Sequence, residues 1–193
     1  MPAPWRIVVI VLIGAILAAV AFGVYIKSGL NVEEPPTKLG GIENFIPARE
    51  LLPAPAITFL DQSGAKLSLE GFRGKVVVLN LWATWCTPCV AEMPTLDRLQ
   101  QQLQGLDVVV IALSIDRGGP NVVKGFFDEN GIKHLGVYVD PSMRVQADLK
   151  TIGLPTTILI DREGRERGRL VGPAEWDDAK AADIVLSASV PPR

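Results

Sequence analysis

The sequence predicts an α/β domain, a mixed central sheet flanked by helices, carried behind one N-terminal transmembrane helix. Three observations predict it. An uncharged, proline-free run of twenty residues, 7–26 (IVVIVLIGAILAAVAFGVYI), stands near the start of the chain. Two apolar runs, Lys75–Leu81 and Asp107–Ile115, then alternate with stretches of helical spacing. Between those runs, where a strand gives way to a helix, lie the only two cysteines, Cys86 and Cys89.

Composition narrows the class further. The chain has 193 residues, 48% hydrophobic, with a mean hydropathy of +0.28 that the apolar run largely explains. Removing that run leaves one domain of ordinary size, which excludes a multidomain enzyme, a polytopic transporter and a disordered chain. The 19 basic and 21 acidic residues give net −2, and no basic face points to nucleic acid.

Twenty helical residues rise about 30 Å, the thickness of a bilayer hydrocarbon core. Arg6 precedes the run and Lys27 follows it. The short leading stub orients the amino terminus towards the cytoplasm. Residues 1–27 are therefore read as a stub and an anchor in the lipid bilayer. The remainder is expected outside the inner (cytoplasmic) membrane, in the periplasm or beyond the cell. Ala19-Val20-Ala21 also fits a cleavage site, but apolar residues continue through Phe22, Val24, Tyr25 and Ile26, which favours an uncleaved anchor. Residues 28–52, with Pro35, Pro36, Pro47, Gly29, Gly40 and Gly41, read as an extended tether.

The remaining elements follow in order. Ile57–Leu60 and Lys66–Leu69 flank Gln62-Ser63-Gly64, a hairpin signal. Lys75–Leu81 reads as a strand covered on both faces. Leu96, Leu99 and Leu103 give helical spacing over Cys89–Gln104, and Asp107–Ile115 is a second buried strand. Pro120–Asn130 reads as a helix ended by Gly131, Leu135–Val139 as a strand and Pro141–Lys150 as a helix. Thr156–Ile160 and Arg167–Val171 form a late hairpin, and Ala174–Ser187 the last helix.

The chemistry-bearing motif is Trp85-Cys86-Thr87-Pro88-Cys89. Two cysteines on a first helical turn close a small disulfide ring with little backbone movement. Unpaired N–H groups and the dipole there stabilise a thiolate at Cys86, the nucleophile of thiol–disulfide exchange. A zinc site lacks ligands, because His134 is the sole histidine and there are no further cysteines. Haem attachment would need histidine where Val90 stands. A structural disulfide stays open as an alternative, although so short a ring gives little loop-closure stabilisation. Pro155, in Gly153-Leu154-Pro155-Thr156, precedes a strand, and a cis bond there would turn the Leu154 backbone outward. Glu92, one turn beyond Cys89, reads equally as an acid–base group for that thiol and as a solvated first-turn carboxylate.

Lys75–Pro94, KVVVLNLWATWCTPCVAEMP, resembles the thioredoxin-like family, and more narrowly its membrane-anchored TlpA/ResA/CcmG group. The likeness covers residues 53–190. The resemblance implies a thioredoxin-like fold with an extra helix–strand insertion near Pro120–Val139. It implies a redox-active Cys86–Cys89 disulfide with no cofactor and no metal, Cys86 attacking and Cys89 resolving. It implies that cis-Pro155 faces the pair, that Leu154 contacts the substrate backbone and that Trp85 borders the groove. Where cytoplasmic thioredoxins keep a buried aspartate, this chain has Asn80, which moves the proton-handling role towards Glu92 or water. The group reduces disulfides in protein substrates such as apocytochrome c or oxidase copper-site assembly proteins. It draws electrons from a membrane donor of the DsbD/CcdA type.

Two other functions compete. A disulfide-forming oxidant would use the same fold in the opposite direction, but the Thr87-Pro88 dipeptide lacks the thiolate-stabilising histidine usual there. A copper-binding assembly factor would space its cysteines by three residues and recruit His134. Trp176 and the Phe126-Phe127 pair read as packing or membrane-edge residues, and Arg162, Arg165, Arg167 and Arg169 as a solvated turn.

Overall fold

The two apolar runs become the centre of the sheet. In the computed structural model, which describes residues 41–190, they are β4 (Val76–Trp82) and β5 (Val108–Ser114), paired in parallel from Val76–Val108 to Trp82–Ser114. Every residue of β4 is buried, as its unbroken apolar pattern requires. The other strands are β1 (Ile46–Pro47), β2 (Thr58–Asp61), β3 (Lys66–Ser68), β6 (Tyr138–Val139), β7 (Thr156–Ile160) and β8 (Glu166–Val171). The helices are α1 (Thr87–Gln102), α2 (Pro120–Asn130), α3 (Arg144–Asp148) and α4 (Ala179–Ser187). The sheet order is β1-β8-β7-β4-β5-β6-β2-β3, with β4–β5 and β5–β6 parallel and the other five pairs antiparallel.

The crossovers β4-α1-β5 and β5-α2-β6 step in one direction across the sheet. Right-handed connections therefore put α1 and α2 on the same face. Side chains agree. Asn80 and Trp82, two residues apart on β4, share a face. Asn80 bonds Glu92 of α1, while Trp82 packs on Phe126 and Phe127 of α2. On the opposite face Arg169, paired with Ile158, donates to the Leu149 carbonyl at the end of α3 (2.6 Å). Helices thus cover both faces of a mixed sheet, the thioredoxin-like arrangement.

The helix expected over Pro141–Lys150 shortens to Arg144–Asp148, and three further departures from the sequence expectation have a visible cause. The tether expected over 28–52 is folded against the domain from residue 42. Ile42 is buried, and β1 pairs Ile46 with Arg169 and Pro47 with Gly168 on β8. A proline is tolerated there because β1 is an edge strand. The last helix starts at Ala179 rather than Ala174, because Ala174 N–H and Trp176 N–H donate to Glu92 and Thr95 of α1 instead of to a helix ladder. Asp178 then caps α4 by accepting from Ala181 N–H. The third strand loses its first residues because Lys133, His134 and Leu135 N–H all donate to the Asp97 carboxylate. The expected anchor, 7–26, lies outside the described residues, and among those described no helix is long and apolar enough to cross a membrane.

Candidate active site

Parallel strands leave their carboxyl ends at one edge of the sheet, where α/β proteins place their sites. β4 ends there and the chain turns through Ala83–Trp85, with Cys86 N–H bonding the Ala83 carbonyl (3.1 Å). Cys86 is the N-cap of α1, and Val90 N–H bonds its carbonyl. Pro88 sits in the first turn, where its missing N–H costs nothing. Cys86 and Cys89 are joined in a disulfide with Cα atoms 5.2 Å apart. Cys89 is wholly buried, Cys86 is 7% exposed, and Trp85 beside them is 65% exposed. Of the two cysteines, Cys86 is the one that retains some exposure.

β7 runs antiparallel to β4, so its beginning lies at the same end of the sheet. Leu81 pairs with Thr156, and the Leu154–Pro155 peptide just before Thr156 is cis. The Pro155 carbonyl accepts from Gly172 N–H. Among the described residues, neither N–H nor carbonyl of Leu154 has a backbone partner. The topology therefore brings Trp85, Cys86, Cys89, Leu154 and Pro155 to one end of the sheet.

Glu92 is not a solvated carboxylate. It is wholly buried on the face of α1 that carries Cys89. One oxygen accepts from Asn80 Nδ2 (2.7 Å), the other from Ala174 N–H (3.0 Å) and Trp176 Nε1 (3.1 Å). Burial opposes ionisation and outweighs these three donors, which pushes the Glu92 carboxyl up to about 7. Asn80 also donates to Thr157 Oγ1 (2.9 Å), while its own Oδ1, buried, has no partner. Trp176, expected as a packing residue, is a buried donor to the carboxylate.

Asp116 is the residue that sequence reasoning missed. It follows β5 at the same end of the sheet and is nearly buried. Its carboxylate accepts from Thr84 N–H (2.9 Å), Thr84 Oγ1 (2.8 Å) and Ser114 Oγ (2.7 Å). These bonds tie the turn before Cys86 to the neighbouring strand. A usable signal existed: an aspartate directly after a buried strand parallel to the cysteine strand.

His134 is not brought to the cysteines. Its Nδ1 lies 2.9 Å from Asp97 Oδ2, eight residues along α1 from Cys89 and hence about 12 Å along the helix axis. Of the four arginines, Arg165 is paired with Asp161 and Glu163, Arg169 with Glu166, and Arg167 lies 4.0 Å from Asp161, all partly buried, while Arg162, beside Asp107, keeps the most exposed side chain of the four, as expected of a solvated turn.

A cysteine pair at the amino end of a helix, on a mixed sheet with a cis-proline at the same end, is the arrangement of a dithiol–disulfide exchange protein. The chain belongs to the Redoxin family, whose model matches residues 52–186. It is 34% identical over 119 residues to the thiol-disulfide oxidoreductase ResA of Bacillus anthracis, covering 62% of this chain and 68% of that one. It is also 34% identical over 112 residues to the thioredoxin-like protein YneN of Bacillus subtilis, covering 58% and 65%. Among solved structures, a Chlorobium tepidum protein described as a thiol:disulfide interchange protein DsbE superposes with a TM-score of 0.64 at 26% identity, covering 72% and 96%. A DsbF homologue from Corynebacterium diphtheriae superposes at 0.59 with 25% identity, covering 80% and 94%. The chain is thus a thiol–disulfide oxidoreductase of the ResA and DsbE type, with its redox chemistry carried by the cysteine pair.

Proposed function

We propose that the protein is an extracytoplasmic reductant of disulfides in partner proteins, serving cytochrome c maturation or the assembly of an oxidase copper site. The observation that carries the exchange chemistry is the cysteine pair at the head of α1, with Cys89 wholly buried and Cys86 retaining some exposure. The Cys86 thiolate attacks one sulfur of a partner disulfide. That S–S bond breaks, a mixed disulfide forms, and the partner's other sulfur leaves as a thiolate that takes up a proton. Cys89 then gives up its proton and attacks Cys86 Sγ. The mixed disulfide breaks, the second partner sulfur leaves and is protonated, and Cys86–Cys89 is oxidised. Two electrons and two protons pass to the partner.

Glu92 shares that helix face, and its carboxyl, pushed up to about 7, is partly ionised near neutral pH; in that carboxylate form it receives the Cys89 proton, directly or through water. Pro155 and Leu154 align the partner chain, and Trp85 covers one side of it. Direction rests on the absence of a cationic residue between the cysteines, which leaves the thiolate less stabilised than in a strong oxidant. Renewal of the dithiol falls to a membrane thiol donor of the DsbD/CcdA kind.

The test is a pair of variants. Cys86→Ser abolishes disulfide reduction, whereas Cys89→Ser accumulates a mixed disulfide with the physiological partner, isolated from cells under alkylating conditions. A partner in neither pathway would overturn the assignment to cytochrome assembly. A reduction potential near −120 mV would reverse the direction.

A further inference from the structure

Among the described residues, the most exposed of the large apolar ones is Ile152, at 91%. The chain on both sides of it is held by hydrogen bonds. Leu149, three residues before it, is wholly buried, and its carbonyl accepts from Arg169 Nη1. Thr151 donates through both N–H and Oγ1 to the Gln146 carbonyl (3.0 and 3.1 Å). On the other side Thr156 Oγ1 donates to the Gly153 carbonyl (2.7 Å), and Leu154 packs on the core. The loop is pinned on both sides of Ile152, so its side chain is held in water with little loop entropy left to lose on contact.

Its position has a counterpart across the sheet. Leu81 and Thr156 are the last paired residues of β4 and β7. Trp85 lies four residues beyond Leu81, and Ile152 four residues before Thr156. The two large exposed residues therefore lie at the same end of neighbouring strands, the end that also holds Cys86 and the Leu154 backbone, which has no backbone partner among the described residues. No charged residue separates Ile152 from Leu154 along the loop.

We propose that Ile152 is a specificity-determining residue of the exchange reaction, an apolar contact for the side chain that flanks the partner's cysteine. The occupant is an extended segment of an oxidised protein. Its backbone pairs beside Leu154 while its disulfide faces Cys86, which directs a neighbouring side chain onto Ile152. An apolar neighbour buries surface there, and a charged neighbour is desolvated without compensation. The inference rests on the exchange reading of Cys86 and adds the partner's local chemistry to it.

The test compares two symmetric peptide disulfides, identical except that leucine or aspartate neighbours the cysteine. The reduced protein supplies two electrons and each disulfide yields two thiol peptides. The wild type reduces the leucine peptide about five- to tenfold faster. Ile152→Ser brings that ratio close to one, and Ile152→Leu restores it. Because the readout is a ratio within one protein sample, partial misfolding of a variant does not mimic it. Equal wild-type rates on the two peptides, or a ratio unchanged in Ile152→Ser, overturn the role of Ile152 and leave exchange standing. Failure of the wild type to reduce either peptide defeats the exchange reading, and this inference with it.

Discussion

Glu92 shows how a single residue couples stability to its chemistry. Its carboxyl is pushed up to about 7 in the folded protein, against 4.5 for a solvated glutamate, because burial raises it more than three donors lower it. As pH rises past 4.5 the unfolded chain releases this proton first, so the folded state binds more protons over that window. Stability therefore falls as pH rises from about 4.5 to 7, by about 3 kcal/mol for this residue alone. Glu92→Gln removes the dependence. Denaturant unfolding of oxidised wild type and variant should give a stability difference that shifts in the variant's favour by about 3 kcal/mol between pH 4 and pH 8. Other titrating groups cancel in that difference, and a flat difference would refute the raised carboxyl. The same substitution should remove an inflection near neutral pH from the rate of mixed-disulfide resolution. Together the two readouts separate proton transfer from a purely structural role.

At the scale of elements, the unexpected piece is the segment before the domain. Ile42 is 1% exposed, and the two-residue β1 extends the sheet beyond β8. Ile42→Ala should lower unfolding free energy by about 2–4 kcal/mol in urea titration while leaving the exchange rate at Cys86 unchanged, because β1 is at the sheet edge beyond β8 and β7. A loss below about 0.5 kcal/mol would return this segment to a tether. The prolines and glycines around Ile42 hide it in the sequence, since one buried side chain has no periodicity to detect. Strands β4 and β5 were legible for the opposite reason: a strand buried on both faces writes an unbroken apolar run. The cysteine pair and Pro155 were legible because their residue types are rare and their positions follow from the strand–helix order. Asp116 and Trp176 were not. Their partners, Thr84 and Glu92, lie 32 and 84 residues away in the chain, and a hydrogen bond between distant loops leaves no local pattern. Burial of Glu92 was hidden likewise, because the expected helix start at Cys89 put it in a first turn, where a carboxylate is stabilised in water by the dipole, whereas α1 starts at Thr87.

At the scale of the whole molecule, the proposed location and the proposed chemistry constrain each other. Cytosolic thiols are kept reduced by glutathione and thioredoxin, so a reductant there would need no dedicated supply. A domain held outside the membrane by residues 7–26 meets an oxidising surrounding, and its dithiol is oxidised at each turnover. The proposal therefore predicts a dependence on the membrane donor. Alkylation of whole cells, followed by separation of reduced from oxidised chains, should find Cys86 and Cys89 largely as thiols when the donor is present. In cells lacking that donor they should be almost entirely disulfide, and externally added dithiothreitol should restore the thiols. The chain should sediment with membranes and resist extraction at high pH, while removal of residues 1–27 should leave it soluble and reduced in the cytosol without any donor. A pair that stays reduced when the donor is deleted would break the link between compartment and electron supply, even with every residue of the exchange site behaving as proposed.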